Sequence, residues 1–74
     1  YPNPTNSLVN FYVTHPNVKS LVVMDIVGKE VMTSNIVGEL TQINIEGFSN
    51  GTYFYRLLGE DGSTLIADKL FKVK

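Results

Sequence analysis

The chain has no cysteine, no tryptophan and a single histidine, His15. Without Cys there is no disulfide framework, no thiolate metal site and no Cys nucleophile, so the fold must be held by packing alone. One His and no Cys also exclude a conventional structural zinc site, and Glu60-Asp61-Gly62 is too short a cluster to supply the six or more oxygens that calcium prefers. Gly28-Lys29 lacks the spaced upstream Gly and the following Ser or Thr of a phosphate-binding loop. No cofactor is expected.

A strong field of either sign is missing too. Six basic and seven acidic residues give a net charge of -1, which leaves no basic face to collect nucleic acid. The one cationic cluster is Lys69, Lys72 and Lys74 at the C-terminal end. No apolar run reaches the length of a membrane-spanning helix, and the N-terminus lacks the basic, apolar, small-residue order of a secretory signal peptide. The sequence begins with Tyr rather than Met, so it reads most simply as one domain, residues 1–74, of a longer protein. A domain of this size buries only about 60% of the surface its unfolded chain exposes.

What is present is short and regular. Turn residues recur about every ten positions, at Pro2 and Pro4, Pro16-Asn17, Gly28, Gly38, Gly47 to Gly51 and Gly59 to Gly62, with β-branched and aromatic segments between them. This pattern predicts an all-β sandwich or barrel, with strands near 7–14, 19–26, 29–34, 40–45, 52–58 and 64–73. Val27-Gly28 and Glu60-Asp61-Gly62 read as tight hairpins in which Gly supplies a positive φ. Pro2-Asn3-Pro4 lacks two ladder donors and favours extended backbone, so it leads into an edge strand.

Phe48 to Tyr55 carries a further signal. In immunoglobulin-like sandwiches a Tyr near the start of the penultimate strand lies two residues before a central core position, and its hydroxyl bonds back to upstream backbone. Tyr53 and Tyr55 fit these two positions. Period two then places Tyr53, Tyr55 and Leu57 on the core face, with Thr52, Phe54, Arg56 and Leu58 outside. Leu21-Val22-Val23-Met24 is apolar on both faces, which suits either a central strand partly covered by a neighbouring loop or an exposed stripe that docks on a partner.

Residues capable of catalysis are scarce. His15 lies beside Pro16-Asn17 in an apparent turn with nothing to frame a nucleophile elbow or an oxyanion hole, so it reads as an exposed turn histidine. Asp25, Glu30, Glu39, Glu46, Glu60, Asp61 and Asp68 fall mostly at turns and strand ends, where solvated carboxylates ordinarily sit. A domain this small does not readily enclose a ligand cleft of several hundred Å³, so neither an enzyme nor a small-molecule substrate is expected. Exposed aromatics among Tyr1, Tyr12, Phe54 and Tyr55 leave an accessory carbohydrate-binding or adhesion module as the alternative.

Four segments in order resemble the C-terminal sorting domain of type IX secretion cargo, the Por secretion system C-terminal domain, over essentially the whole chain. Tyr1-Pro2-Asn3-Pro4-Thr5 is similar to the family's opening Pro-Asn-Pro motif. Asp25-Ile26-Val27-Gly28-Lys29-Glu30-Val31 is similar to its Asp-x-x-Gly-Lys-x-Val hairpin, and Gly51-Thr52-Tyr53-Phe54-Tyr55-Arg56-Leu57 to its Gly-x-Tyr strand. The closing Lys69, Lys72 and Lys74 match its final strand.

The resemblance implies an immunoglobulin-like antiparallel β-sandwich of six to seven strands, of Greek-key type, in which a seventh strand would come from residues 35–39 or from a divided last strand. It implies a non-catalytic signal on an upstream cargo domain in the same chain. The cargo passes the periplasm, the folded domain is recognised by the outer-membrane translocon, and a sortase cuts the preceding linker, so that the cargo is secreted or held at the cell surface. Under this reading Pro2, Asn3 and Pro4 position the cut linker, and Lys69, Phe71, Lys72, Val73 and Lys74 contact the translocon. Asp25, Gly28, Lys29, Gly51 and Tyr53 hold the scaffold. Lysines on the closing strand also suit a protected sheet edge, and whether Lys69 or Leu70 faces inward is open, since Phe71 and Val73 share the parity of Lys69.

Overall fold

A computed structural model describes residues 8–73. Pro2, Asn3, Pro4 and Lys74 therefore lie outside the described residues. Six strands follow one another: β1 Leu8–Tyr12, β2 Val18–Met24, β3 Glu30–Asn35, β4 Leu40–Asn44, β5 Gly51–Gly59 and β6 Thr64–Lys72. All pairings are antiparallel, in a two-stranded sheet β1-β4 and a four-stranded sheet β3-β2-β5-β6. Among the described residues there are six strands. Residues 35–39 form no seventh, and β6 runs undivided.

The chain leaves the large sheet after β3, forms β4 in the small sheet, and returns to place β5 beside β2. This makes β2 and β5 central, and their composition suits it: Leu21-Val22-Val23 is buried throughout. On β2 the inward residues are Leu21 and Val23, both fully buried. A register shift between Val18 and Ser20 turns Val18 inward as well, against strict alternation. Val22 points to the outer face, where register sets it between Thr33 and Arg56.

The core joins Val9, Phe11, Val13, Ile43 and Ile45 of the small sheet side to Leu21, Val23, Tyr53, Leu57 and Leu70 of the large one. Each fully buried Val or Leu contributes about 1.5–3 kcal/mol relative to its exposed state. Two strands cannot cover four. Ile66 and Asp68 share the inward parity of β6 with Leu70, yet both are exposed, so the first half of β6 extends beyond the cover of the small sheet. Tyr55 is half-buried for the same reason, its ring meeting Phe11 edge to face at 4.8 Å.

Candidate functional site

The Asp25 to Lys29 hairpin is built by backbone chemistry. Asp25 Oδ1 accepts the Val27 and Lys29 amides at 3.1 and 2.9 Å. The Asp25 carbonyl accepts from Gly28 N–H at 3.0 Å, and Asp25 N–H donates to the Lys29 carbonyl at 2.9 Å. Gly28 sits at φ 91°, a region that a Cβ disfavours. Asp25 and Gly28 are thus needed for the loop itself, and Lys29 supplies its main chain to the closure.

The β5–β6 hairpin uses the same device. Asp61 Oδ1 accepts from Ser63 N–H at 3.0 Å and from its hydroxyl at 2.7 Å, and Gly62 takes a φ of 84°. These Ser63 bonds favour the ionised carboxylate and hold Asp61 below its ordinary pKa.

Tyr53 makes the expected corner. Its hydroxyl donates to the Ser49 carbonyl at 2.8 Å, and its ring lies 4.9 Å from that of Phe48. Gly51, at φ 146°, starts the strand with a backbone that L-residues rarely adopt. The core face of β5 is Tyr53, Tyr55 and Leu57, as period two predicts. Burial, and secondly the Asp68 carboxylate opposite it, push the Tyr55 hydroxyl above its ordinary value of 10.0.

The closing strand resolves into two rows. Leu70, opposite Tyr53, is fully buried, so Lys69, Phe71 and Val73 face outward. Phe71 and Val73 are 40% and 42% exposed, and Lys69 is exposed. Lys72 stands opposite Gly51 on the inner face and is only 6% exposed. No bulge is needed between Lys69 and Lys72, because the register of β6 shifts only near its start. Among the described residues, the accessible part of the closing segment is therefore the row Lys69, Phe71, Val73. Lys72, grouped with it on sequence, belongs to the other face.

Other sequence candidates are dispersed. His15 is exposed in the β1–β2 turn, where its Nδ1 accepts from Asn17 N–H at 3.2 Å. Tyr12 is exposed on the small sheet and Phe54 on the large one, so the two make no shared aromatic platform. Among the described residues no three His, Asp or Glu side chains gather to hold a metal.

The Secretion system C-terminal sorting domain family matches residues 1–72. The chain belongs to this family. Beta-agarase A from Zobellia galactanivorans is 32% identical over 69 residues, covering 89% of this chain and 12% of that protein. The sorting domain therefore spans about an eighth of the length of the curated relative that it matches. No solved structure matches it. As a member of the family it is a type IX secretion signal of the kind carried by cargo proteins. Its function is to direct that cargo across the outer membrane to the cell surface or the surroundings.

Proposed function

We propose that the outward row Lys69, Phe71 and Val73 is the part of this sorting domain that the outer-membrane translocon reads. The observation that carries this is the exposure of two large apolar side chains beside a lysine at the end of the last strand. In a chain with so small a core, leaving Phe71 and Val73 in water forgoes burial energy that the fold could use, and contact with a partner recovers it. Lys72 flanks the row from the inner face, and Lys74 follows it in sequence. At the other end, Pro2, Asn3 and Pro4 set the approach of the linker that a sortase cuts. Asp25, Gly28, Lys29, Gly51 and Tyr53 keep the scaffold in shape and do not touch the machinery.

On this reading residues 1–74 form one non-catalytic domain at the C-terminus of a larger protein, and the cargo passes the periplasm on its way out. The test is a periplasm-directed fluorescent reporter fused ahead of the native linker and this domain, in a host with type IX secretion. Removing 71–74 should hold the reporter in the periplasm. Because that deletion also removes the buried Lys72, Phe71→Glu and Val73→Glu are made in parallel, and both should block export while leaving the thermal midpoint within a few degrees. Export of the point variants at the native level would refute the assignment. Loss of mass equal to the domain on arrival at the surface identifies the sortase cut, and an exported reporter of full mass would refute that part alone.

A further inference from the structure

β4 pairs with β1 on one side only, and its other edge meets no strand among the described residues. The Val13 N–H donates to the Glu39 carbonyl at 2.8 Å, which fixes the alternation along the pair: Glu39, Thr41 and Ile43 turn their main-chain groups toward β1. Those of Leu40, Gln42 and Asn44 therefore point the other way, to the open edge. Such an edge is ordinarily shielded by Lys, Pro or a bulge. Leu40-Thr41-Gln42-Ile43-Asn44 has no charge and no Pro, and its register with β1 runs without a shift. β6, by contrast, carries Lys69 and Lys72.

The layers define the space beside that edge. Phe11 meets Tyr55, which seats β1 over β5. Leu21 and Val23, on the inner face of β2, are fully buried, while Ile66 and Asp68 on the inner face of β6 are exposed, so β4 covers β2 rather than β6. β3 then projects past β4 by one strand spacing, about 4.8 Å. Its inward residues Met32 and Ser34 are half-buried, a floor with no strand above it. A second copy does not fit there: to bring its β4 to pairing distance, its own β3 would have to enter the space held by β2. A single strand with nothing behind it does fit, one edge on β4 and its inward side chains on Met32.

We propose that the open edge of β4 accepts a single extended segment of a partner protein, antiparallel to β4, with apolar side chains at alternate positions turned onto Met32. Its main chain pairs with Leu40, Gln42 and Asn44, and its outward side chains lie beside theirs. In strand additions of this kind the main-chain bonds supply affinity and the alternate side chains supply selectivity. Charged residues are disfavoured at the inward positions, because Met32 packs against the core and offers no counter-charge. β3 and β6 are opposite edges of the large sheet, so the site is separate from the row Lys69, Phe71 and Val73 and does not depend on the export role proposed for it.

The probe is the blocked peptide acetyl-Lys-Thr-Val-Thr-Val-Thr-Lys-amide, whose Val side chains share one face and whose end lysines restrain self-association. It is titrated into the isotope-labelled full chain, following the amides of Leu40, Gln42 and Asn44 and the Met32 methyl. In the peptide-free chain these amides should exchange rapidly with solvent; protection there would show that the chain itself or a second copy fills the edge, and would overturn the proposal. The peptide should shift all of these resonances saturably and slow the exchange. In an antiparallel strand with Val inward, the Thr amides face β4 and the Val amides face away. Methylating the nitrogen of the central Thr should therefore weaken binding about tenfold, the loss of one main-chain bond, and methylating that of the Val after it should not. Gln42→Pro removes an outward donor and leaves the β1 ladder intact, a place where an edge strand tolerates Pro, and should abolish binding. Gln42→Ala, which loses only the side-chain bond to Asn10, should bind as the native chain does. Should a variant fail to fold, the two methylated peptides on the native chain still decide. Equal binding of those two, shifts at the edge of β3 or β6 instead, or no saturable shift would each overturn the proposal.

Discussion

Replacing Tyr53 by Phe removes one oxygen and leaves the ring, so it isolates the bond from the Tyr53 hydroxyl to the Ser49 carbonyl at 2.8 Å. Such a bond contributes about 0.5–1.5 kcal/mol net. Ser49 is exposed, so water can satisfy its carbonyl once the hydroxyl is gone, and the further penalty of a stranded buried acceptor does not arise. A loss of about 1 kcal/mol is therefore expected. For a domain of this size that lowers the thermal midpoint by about 4–8 °C, with no change in the denaturant slope, since the surface exposed on unfolding is the same. Tyr53→Ala behaves differently. The ring is 92% buried in the fold, being 8% exposed, and lies against Phe48. Its deletion costs about 3–5 kcal/mol, against a total stability of about 4–11 kcal/mol for a chain of this length. The Ala variant should be largely unfolded near physiological temperature and the Phe variant folded, by circular dichroism. A midpoint for Tyr53→Phe within about 1 °C of the native protein would show that the corner bond contributes nothing.

Two further perturbations test the turns and the half-buried tyrosine. Asp25→Ala strips the Val27 and Lys29 amides of their acceptor and should cost about 1–2 kcal/mol, with faster hydrogen exchange at both amides; Gly28→Ala should cost a similar amount through its positive φ, whereas Gly47→Ala, which has open space for a Cβ, should be near neutral. Equal effects at Gly28 and Gly47 would refute the conformational argument. Tyr55 is pushed above its ordinary value by burial and then by Asp68, so the neutral phenol is the form the fold prefers. Its contribution is complete below the unfolded pKa and is lost as pH rises through the higher folded value. The difference in tyrosinate absorbance between the native protein and Tyr55→Phe should place Tyr55 above 10.0 and Asp68→Asn should bring it down; titration at or below the ordinary value in the native protein would contradict both causes.

Much of this fold was legible because its signals are local. Gly28 and Gly62 mark hairpins through the backbone angle that each turn needs, and alternation alone assigns Tyr53 and Leu57 to the core. Strand ends shift by one or two residues where loop chemistry intervenes, as at His15, whose ring and carbonyl collect the Asn17 and Val18 amides and end the run before β2. What could not be read depends on the other sheet. Tyr55 has the sequence position of a central core residue but is half-buried, because the facing sheet has two strands and ends before β6. The inward turn of Val18 follows from a register shift with no composition signal. The burial of Lys72 was legible in parity once Leu70 was fixed inward, but Leu70 could be fixed only by its pairing with Tyr53.

The placement of Lys72 bears on how a sorting domain of this kind is recognised. In an unpaired chain Lys69, Phe71, Lys72 and Val73 are all accessible and no face is defined. Only pairing with β5, which sets Leu70 against Tyr53 and Lys72 against Gly51, separates an outward row from an inward one. That pairing depends in turn on Gly51 and Tyr53, whose own side chains or backbone angles serve the fold. If the translocon reads the outward row, the Gly-x-Tyr strand acts on export through the geometry of β6 rather than by contact. A variant such as Tyr53→Phe should then lose export only to the extent that it loses folded protein, while Phe71→Glu should lose export with the domain still folded. Measuring both quantities on the same two variants separates the residues that build the address from those that are read, and a Tyr53→Phe domain that is folded but retained would place Tyr53 among the latter.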